Sequence, residues 1–497
     1  MKTPHVLVLA LVLLAIGAAL VDRPPDVRRS VRAGYQFQTS SDAELRADDA
    51  IHLVYWEKWN NFEGEAMQAC VDAFNAHSRD ALTNSAADYR RRFLSPNGQR
   101  IIVHLLSTTQ VNRKTQMAVS GGVPPDIAGL WSRDVQVFAE FNAALPLDEF
   151  IARDGPSPAE YQKCYWDMCV YEGKVWALPT TPSTIAMYWN KELFEQASLN
   201  PDQPPKTLAE LDEFNSKLTK MDKKTGRLVQ MGFHPGEPGW WNYAWGNWFG
   251  GPHATPDGRT LLLDSKEWVA SYTWLNKLAR DYGRNEMRTF KGGMGTFDSP
   301  QNAFIAGKVA IVLQGVWMAN YIRTYNQSLR WGVAPFPGPG GTAADPVTLA
   351  QADVLMIPRG CKHPEEAWTF VRYVNSIGPD EPHAPLEGME ILCFKQGKHS
   401  PFIKTTRKFR EEHVHESLQC FIDLGNSKNI YIEPMLPMWE ELRRTIPATF
   451  MDLMSNGGEP GKDPESILKA YVKRMQPKLD RTWERIDRGK LEAKSEK

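Results

Sequence analysis

IHLVYWEKWNNFEGEAMQACVDAFNAHS, residues 51–78, changes its period part-way along. Ile51 to Trp56 is a short apolar run rich in strand formers. Asn60 and Asn61 then offer an N-cap, and Phe62, Ala66, Cys70, Val71 and Phe74 recur at helical spacing through Asn75. The same alternation repeats downstream. Ile101 to Leu106 reads as a second strand, Val111 to Ser120 as a helix stopped by Gly121-Gly122, and Pro124 to Leu130 as a third strand leaving a turn. A βαβαβ start of this kind predicts an α/β fold with an open, largely parallel sheet. Ligands of such sheets bind beyond the carboxyl ends of the strands, which is where Trp56, Thr108 to Gln110 and Trp131 fall.

Further along, the pattern predicts helices over Leu208–Leu218 and Trp268–Tyr282, with a Gly-, Pro- and Trp-dense stretch, Gly232 to His253, between them. Val309–Leu313 and Ala352–Pro358 read as strands. The second leads into a helix marked by Pro364 in its first turn, Glu365 and Glu366 at its positive end, and Ala367, Phe370, Val371 and Val374 on one face. The tail from Asp463 is helical and strongly charged, and no repeat of solenoid period occurs.

At 497 residues the chain is long enough for two or three domains. Hydrophobic residues make up 42% and charged residues 24%, the balance of a soluble globular protein. A formal net charge of -1 gives no overall basic excess pointing to nucleic acid. Aromatic residues are the unusual feature, with 17 Trp beside 15 Tyr and 21 Phe. Residues 1–22 read as a signal peptide or N-terminal anchor: Val6 to Val21 is an almost unbroken apolar run, short for a spanning helix. Residues 23–50, with Pro24, Pro25 and scattered charge, read as a polar linker. An exported chain permits disulfides, and proximity suggests Cys164 with Cys169 and Cys393 with Cys420; buried free thiols are the other reading of the six cysteines.

Four segments carry a resemblance. They are LPTTPSTIAMYWNKELFEQASLNPDQPPKTLAELDEF (178–214), FIAGKVAIVLQGVWMANY (304–321), VLMIPRGCKHPEEAWTFVRYV (354–374) and GVPPDI (122–127). In their order along the chain they resemble the extracellular solute-binding proteins of family 1, which include maltose-binding protein and its relatives. The resemblance implies two α/β lobes with a hinge and a central ligand cleft. It places residues 51–180 and 298–345 in an N-terminal lobe, and 181–297 and 346–480 in a C-terminal lobe, with 481–497 a charged tail. The chain departs from the family pattern where Gln351-Ala352 stands for Gly-Gly and Gly315-Val316-Trp317 for Gly-Pro-Trp. Extra stretches lie at Ser78–Arg100 and Asp380–Asn426; the second is either a cap over the cleft or surface decoration.

A sugar presents apolar C–H faces and a rim of hydroxyls, so its site needs aromatic platforms and a few polar groups. The richest candidate is PGWWNYAWGNWFGG (238–251), with Trp240, Trp241, Trp245 and Trp248. Trp241, Trp245 and Trp248 also fit the spacing of a helix packed inward, and both readings stay open. Trp56, Glu57 and Asn60 follow the first strand, Gln110 the second, and Trp131 with Asp134 the third. The family position adds Trp317, Gln351 and Asp353. Tyr188 is expected beneath the hinge, and Glu433, Met435 and Trp439 lie in a Pro-punctuated stretch without a clear role.

The implied function is an extracytoplasmic receptor of an ABC importer. It binds a sugar or oligosaccharide by cleft closure and delivers it to permease subunits in the membrane. No cofactor, metal or nucleic acid is implied, and a monomer is expected. The alternatives are a binder of another solute, such as a polyamine or peptide, and a secreted carbohydrate-active enzyme. GxSxG, HExxH, Walker A and CxxC motifs are absent, and no local motif singles out a pair of catalytic carboxylates.

Overall fold

In the computed structural model, the described residues are 47, 49–341, 346–381, 383–456 and 463–495. The apolar leader and most of the linker lie outside them. The chain divides into two compact units. Unit 1 comprises residues up to Pro182, Ala352–Gln396 and Ser400–His413; unit 2 comprises Ser183–Gln351, Gly397–His399 and the chain from Val414. The lobes expected from the resemblance do not follow these bounds. Residues 298–345 lie in unit 2 and 352–396 in unit 1. The reason is pairing: the strand at Val309–Gly315 has both of its neighbours in unit 2.

Unit 1 is built on β1 (Ile51–Glu57), α1 (Asn61–Ala81), β2 (Ile101–Ser107), α2 (Val111–Ser120), β3 (Ile127–Trp131) and α3 (Asp134–Glu140). β1 runs parallel to β2 over its whole length, from Ile51 opposite Ile101 to Glu57 opposite Ser107. On its other side β1 is parallel to β3, with Tyr55 opposite Ile127. These strands are buried on both faces, as parallel strands flanked by helices must be. α1 contributes Ala66, Met67, Cys70, Val71 and Phe74 as its buried stripe. Phe74 meets Phe370 edge-on at 5.2 Å, tying α1 to α7 (Pro364–Val374).

Unit 2 centres on β4 (Leu178–Asn190), β5 (Leu228–Phe233) and β6 (Val309–Gly315), with α4 (Leu208–Leu218), α5 (Lys266–Asp281) and α6 (Met318–Tyr325) around them. β6 is antiparallel to β4, Ile185 lying opposite Gly315, and parallel to β5. β7 (Trp331–Ala334) adds an antiparallel edge to β4. All thirteen residues of β4 are buried. Its first residues, with Pro179 and Pro182, belong to unit 1, and the remainder to unit 2. A further strand, β8 (Thr348–Met356), is divided likewise at Gln351. Its later half pairs antiparallel with β3, setting Asp353 opposite Trp131. The core of unit 2 takes many of the tryptophans: Trp189, Trp245, Trp248, Trp268, Trp274 and Trp439 are all buried there.

All six cysteines are free, so neither expected disulfide forms. The Cys169 thiol faces the Tyr165 carbonyl at 3.6 Å instead, at the end of its own short helix. Among the described residues no helix is long and apolar enough to cross a membrane, and no group of His, Cys, Asp or Glu is placed to hold a metal ion.

Candidate functional site

In unit 1 the carboxyl ends of β1 and β3 and the adjoining half of β8 bring a charged group together. Glu57, the last residue of β1, is buried. Its carboxylate accepts from the Tyr55 hydroxyl, from the Lys58 backbone N–H at 2.6 Å and from Lys58 Nζ at 3.1 Å. Lys58 Nζ also reaches Asp353 Oδ1 at 3.2 Å, and Thr181 Oγ1 donates to Asp353 Oδ2 at 2.9 Å. The space for this carboxylate comes from Gly129 on β3, where a Cβ would stand 2.0 Å from Glu57 Oε2. Burial works against the charge on Lys58, but Asp353 and Glu57 outweigh it and raise its pKa. Burial and the neighbouring Glu57 push the Tyr55 hydroxyl well up, so it stays a donor.

Glu57 and Asp353, both expected to meet a ligand, are therefore engaged with Lys58. Around them the side chains are more open. Trp131 is half-buried, and the Arg133 guanidinium lies 4.3 Å from its ring centre. The Trp131 backbone N–H is held by Asp134 Oδ2 at 3.2 Å, and Asn112 binds the other oxygen of Asp134 at 3.1 Å. Asn60 and Gln110 are exposed. Asn60 occupies the N-cap position of α1 without a side-chain cap bond. Gln110 precedes α2 with φ of 54°, a left-handed conformation that a residue with a Cβ seldom adopts. Trp56 is half-buried and packs with the core under β3 and β8.

Unit 2 presents aromatic rings at the corresponding end of its own strands. β6 ends at Gly315, and Trp317 folds back over that glycine; a Cβ there would meet the indole at 2.2 Å. Trp240 and Trp241 lie 6.4 and 6.3 Å from Trp317, centre to centre, and Phe297 lies 4.7 Å from Trp240. Trp240 is 44% exposed, whereas Trp241 is buried with its N–H on the Leu313 carbonyl at 3.2 Å. Trp245, also expected among the ligand contacts, is 1% exposed and packs against Phe233, Trp274 and Phe336. Its place is the core, and the inward reading of the helical spacing holds for it and for Trp248.

Gln351 joins a separate polar hub in unit 2. Its amide donates to Glu433 and to the Tyr243 hydroxyl, the latter at 3.0 Å. Glu433 further accepts from Tyr243 at 3.0 Å and from Trp439 Nε1 at 2.7 Å, with Arg443 Nε at 3.4 Å. Burial works against the Arg443 charge, yet Glu433 outweighs it and raises its pKa. His253 beside this hub donates its Nε2–H to the Tyr243 carbonyl at 3.0 Å; burial lowers its pKa to about 4. Lys58, Tyr243 and Arg443 escaped the sequence reading. Tyr243 sits inside the Trp-rich stretch already singled out, but its partner Glu433 is far away along the chain.

The family model of bacterial extracellular solute-binding proteins matches residues 97–378. A binding protein of Brucella abortus is 24% identical over 361 residues, which covers 72% of this chain and 80% of that one. The maltotriose-binding protein of Pyrococcus abyssi is 22% identical over 262 residues, 52% of each chain. Among solved structures, CpMnBP1 with mannobiose bound is similar with a TM-score of 0.67 and 24% identity, covering 86% of this chain and 100% of that one.

Proposed function

Because the chain belongs to the family of bacterial extracellular solute-binding proteins, we propose that it is the exported, monomeric receptor of an ABC importer. It captures a sugar or oligosaccharide by closure of its lobes and delivers it to permease subunits on the outer side of the membrane. The observation that carries the sugar assignment is the aromatic group of unit 2. Trp240, Trp241 and Trp317 stand within 6.4 Å of one another, and Trp240 leaves 44% of its surface uncovered. A large exposed indole beside two others is a costly arrangement for a surface and a useful one for burying the apolar face of a pyranose. The names of relatives support the same class, since one binds maltotriose and one solved neighbour holds mannobiose.

Closure follows from linkage. A ligand that contacts the closed form better than the open one shifts the population toward the closed form by its differential affinity alone. The polar groups that would fix a sugar's orientation are Asn60 and Gln110 in unit 1 and Gln351 in unit 2. A thermal-shift panel of mannobiose, mannotriose, maltotriose and monosaccharides tests the reading. A ligand present at a hundred times its Kd adds about 2.7 kcal/mol to the folded state. If no sugar of the panel raises the melting temperature, the sugar assignment falls. Sustained release of shorter products from any oligosaccharide in the panel would instead make the protein an enzyme.

A further inference from the structure

Unit 1 holds a cavity of about 610 Å³ that is not the strand-end site: neither Glu57, Trp131 nor Asp353 lines it. Its walls join parts of the chain that are far apart. Arg92 and Phe93 precede residues 97–378, the span that matches the family model, and Phe402, Ile403 and Lys404 follow it. Both groups fall in the stretches by which the chain exceeds the family pattern, Ser78–Arg100 and Asp380–Asn426. Two insertions with no neighbourhood in sequence thus meet around one space.

Backbone pairing builds one wall. Tyr161 and Phe402 form an antiparallel bridge; beside it the Ile403 N–H donates to the Glu160 carbonyl at 2.8 Å and the Gln162 N–H to the Pro401 carbonyl at 2.9 Å. Successive side chains of extended backbone point to opposite sides. Phe402 therefore turns onto the Tyr161 ring, 4.5 Å away between centres, and is buried, while Ile403 is 61% exposed. On the inner side Phe93 and Tyr373 of α7 are buried with their rings 5.8 Å apart. The space is of the size that small-molecule sites occupy, roughly 300–1,000 Å³, and its apolar walls are of the kind that line them.

Charge decides what kind of molecule fits. Arg92, Arg372 and Lys404 line the cavity with Asp154 and Glu160. Arg92 pairs with Glu387 at 3.5 Å and Arg372 pairs with Asp154. Glu160 accepts from the Ser157 N–H at 2.6 Å. Lys404 is exposed and, among the described residues, makes no ion pair or hydrogen bond. One unmatched positive charge therefore stands beside a largely apolar space. We propose that this cavity is a second binding site, for a small amphiphilic organic acid. Its aromatic or aliphatic body would lie against Phe93, Phe402 and Ile403, and its single carboxylate would meet Lys404. The site goes beyond the sugar reading and does not depend on it.

The test titrates the full-length protein with anilinonaphthalene sulfonate, read by fluorescence, and displaces the dye with phenylbutyrate and with uncharged phenylbutanol. A saturable site is expected, at which phenylbutyrate competes about fivefold better than phenylbutanol. Ala159 lines the cavity and is exposed. Ala159→Trp should fill the space and weaken dye and competitors at least about tenfold. Lys404→Glu should remove or reverse the preference for the acid while the alcohol still competes. Because both positions are exposed, each variant should melt at the wild-type temperature. Trp240→Ala in unit 2 should leave the dye site intact, which separates it from the indoles there. A protein without a saturable site overturns the proposal. So does a site that survives Ala159→Trp or is lost in Trp240→Ala, and so does equal competition by acid and alcohol in the wild type. Binding of a sugar, or its absence, alters none of these outcomes.

Discussion

Unit 1 ends its strands in charge, with Glu57, Lys58 and Asp353 closed upon one another, while unit 2 ends its strands in the indoles of Trp240, Trp241 and Trp317. The charged group is buried and its hydrogen bonds are made. It can orient the strand ends but has little left to offer a ligand. The aromatic group keeps one large ring open. The difference separates two tasks that a sequence reading merges. Conspicuous carboxylates at strand ends can be structural, and the groups that meet a ligand are those whose contacts are incomplete. The comparison also has a thermodynamic side, because the two units bury different titratable groups.

That side gives the largest expected effect. His234 and His253 in unit 2 are held by burial at about 4, and His104 in unit 1 at about 3, against an ordinary value of 6.5. A depressed histidine is neutral in the folded state and takes a proton on unfolding. Its contribution is complete above pH 6.5 and is lost as pH falls toward the folded value, at about 1.4 kcal/mol per pH unit for each histidine. Unit 1 also buries Asp126 and Glu390, whose pKa values burial raises. For these the sign is opposite: the folded state binds the proton more readily, and lowering the pH favours it. Unit 2 should therefore open at a higher pH than unit 1 on acidification from 6.5. Hydrogen exchange followed by mass spectrometry should show peptides of β5 and β6 losing protection before those of β1 and β2. Simultaneous loss, or loss from β1 and β2 first, would break the comparison.

The next effect belongs to unit 1 alone. Lys58→Met leaves two buried carboxylates without their cation, a change worth about 3–5 kcal/mol. Denaturant unfolding should show that loss, and adding Asp353→Asn should recover part of it. A Lys58→Met protein as stable as wild type would mean that the charged group is not closed upon itself. In unit 2 the corresponding change is felt by the ligand rather than by the fold. Trp317→Ala should weaken sugar binding by about 2 kcal/mol, roughly thirtyfold, with stability changing less. Gly315→Ala should mimic it, because the new Cβ would displace the same indole.

Most of the elements were legible in the sequence because period dictates them. α2 and α4 fall at the bounds that the apolar spacing predicts, and β1 and β2 within one residue of theirs. β4 was not legible from period, since all its residues are buried and two are proline, and no strand is expected there from the sequence. The site was legible less evenly. Trp241, Trp245 and Trp248 share one helical spacing, and that spacing is the same whether an indole meets a ligand or a core. Lys58 follows a strand and reads as a solvated residue; only Asp353, brought opposite Trp131 by β8, explains it.

The smallest effect tests whether the open groups of unit 1 are placed for a ligand. Gln110 holds φ of 54° directly before α2, a conformation costing a residue with a Cβ about 1 kcal/mol or more. Gln110→Gly removes that cost, so the protein should gain up to about 1 kcal/mol, read from denaturant midpoints. Glycine also keeps more freedom in the unfolded chain, which offsets part of the gain. If the amide contacts a sugar, affinity should fall by about 1 kcal/mol, some fivefold, as a neutral hydrogen bond is lost. A gain in stability together with a loss in affinity marks strain retained for binding. A gain in stability with affinity unchanged would remove Gln110 from the site and leave unit 1 with Asn60 and Trp131 as its open groups.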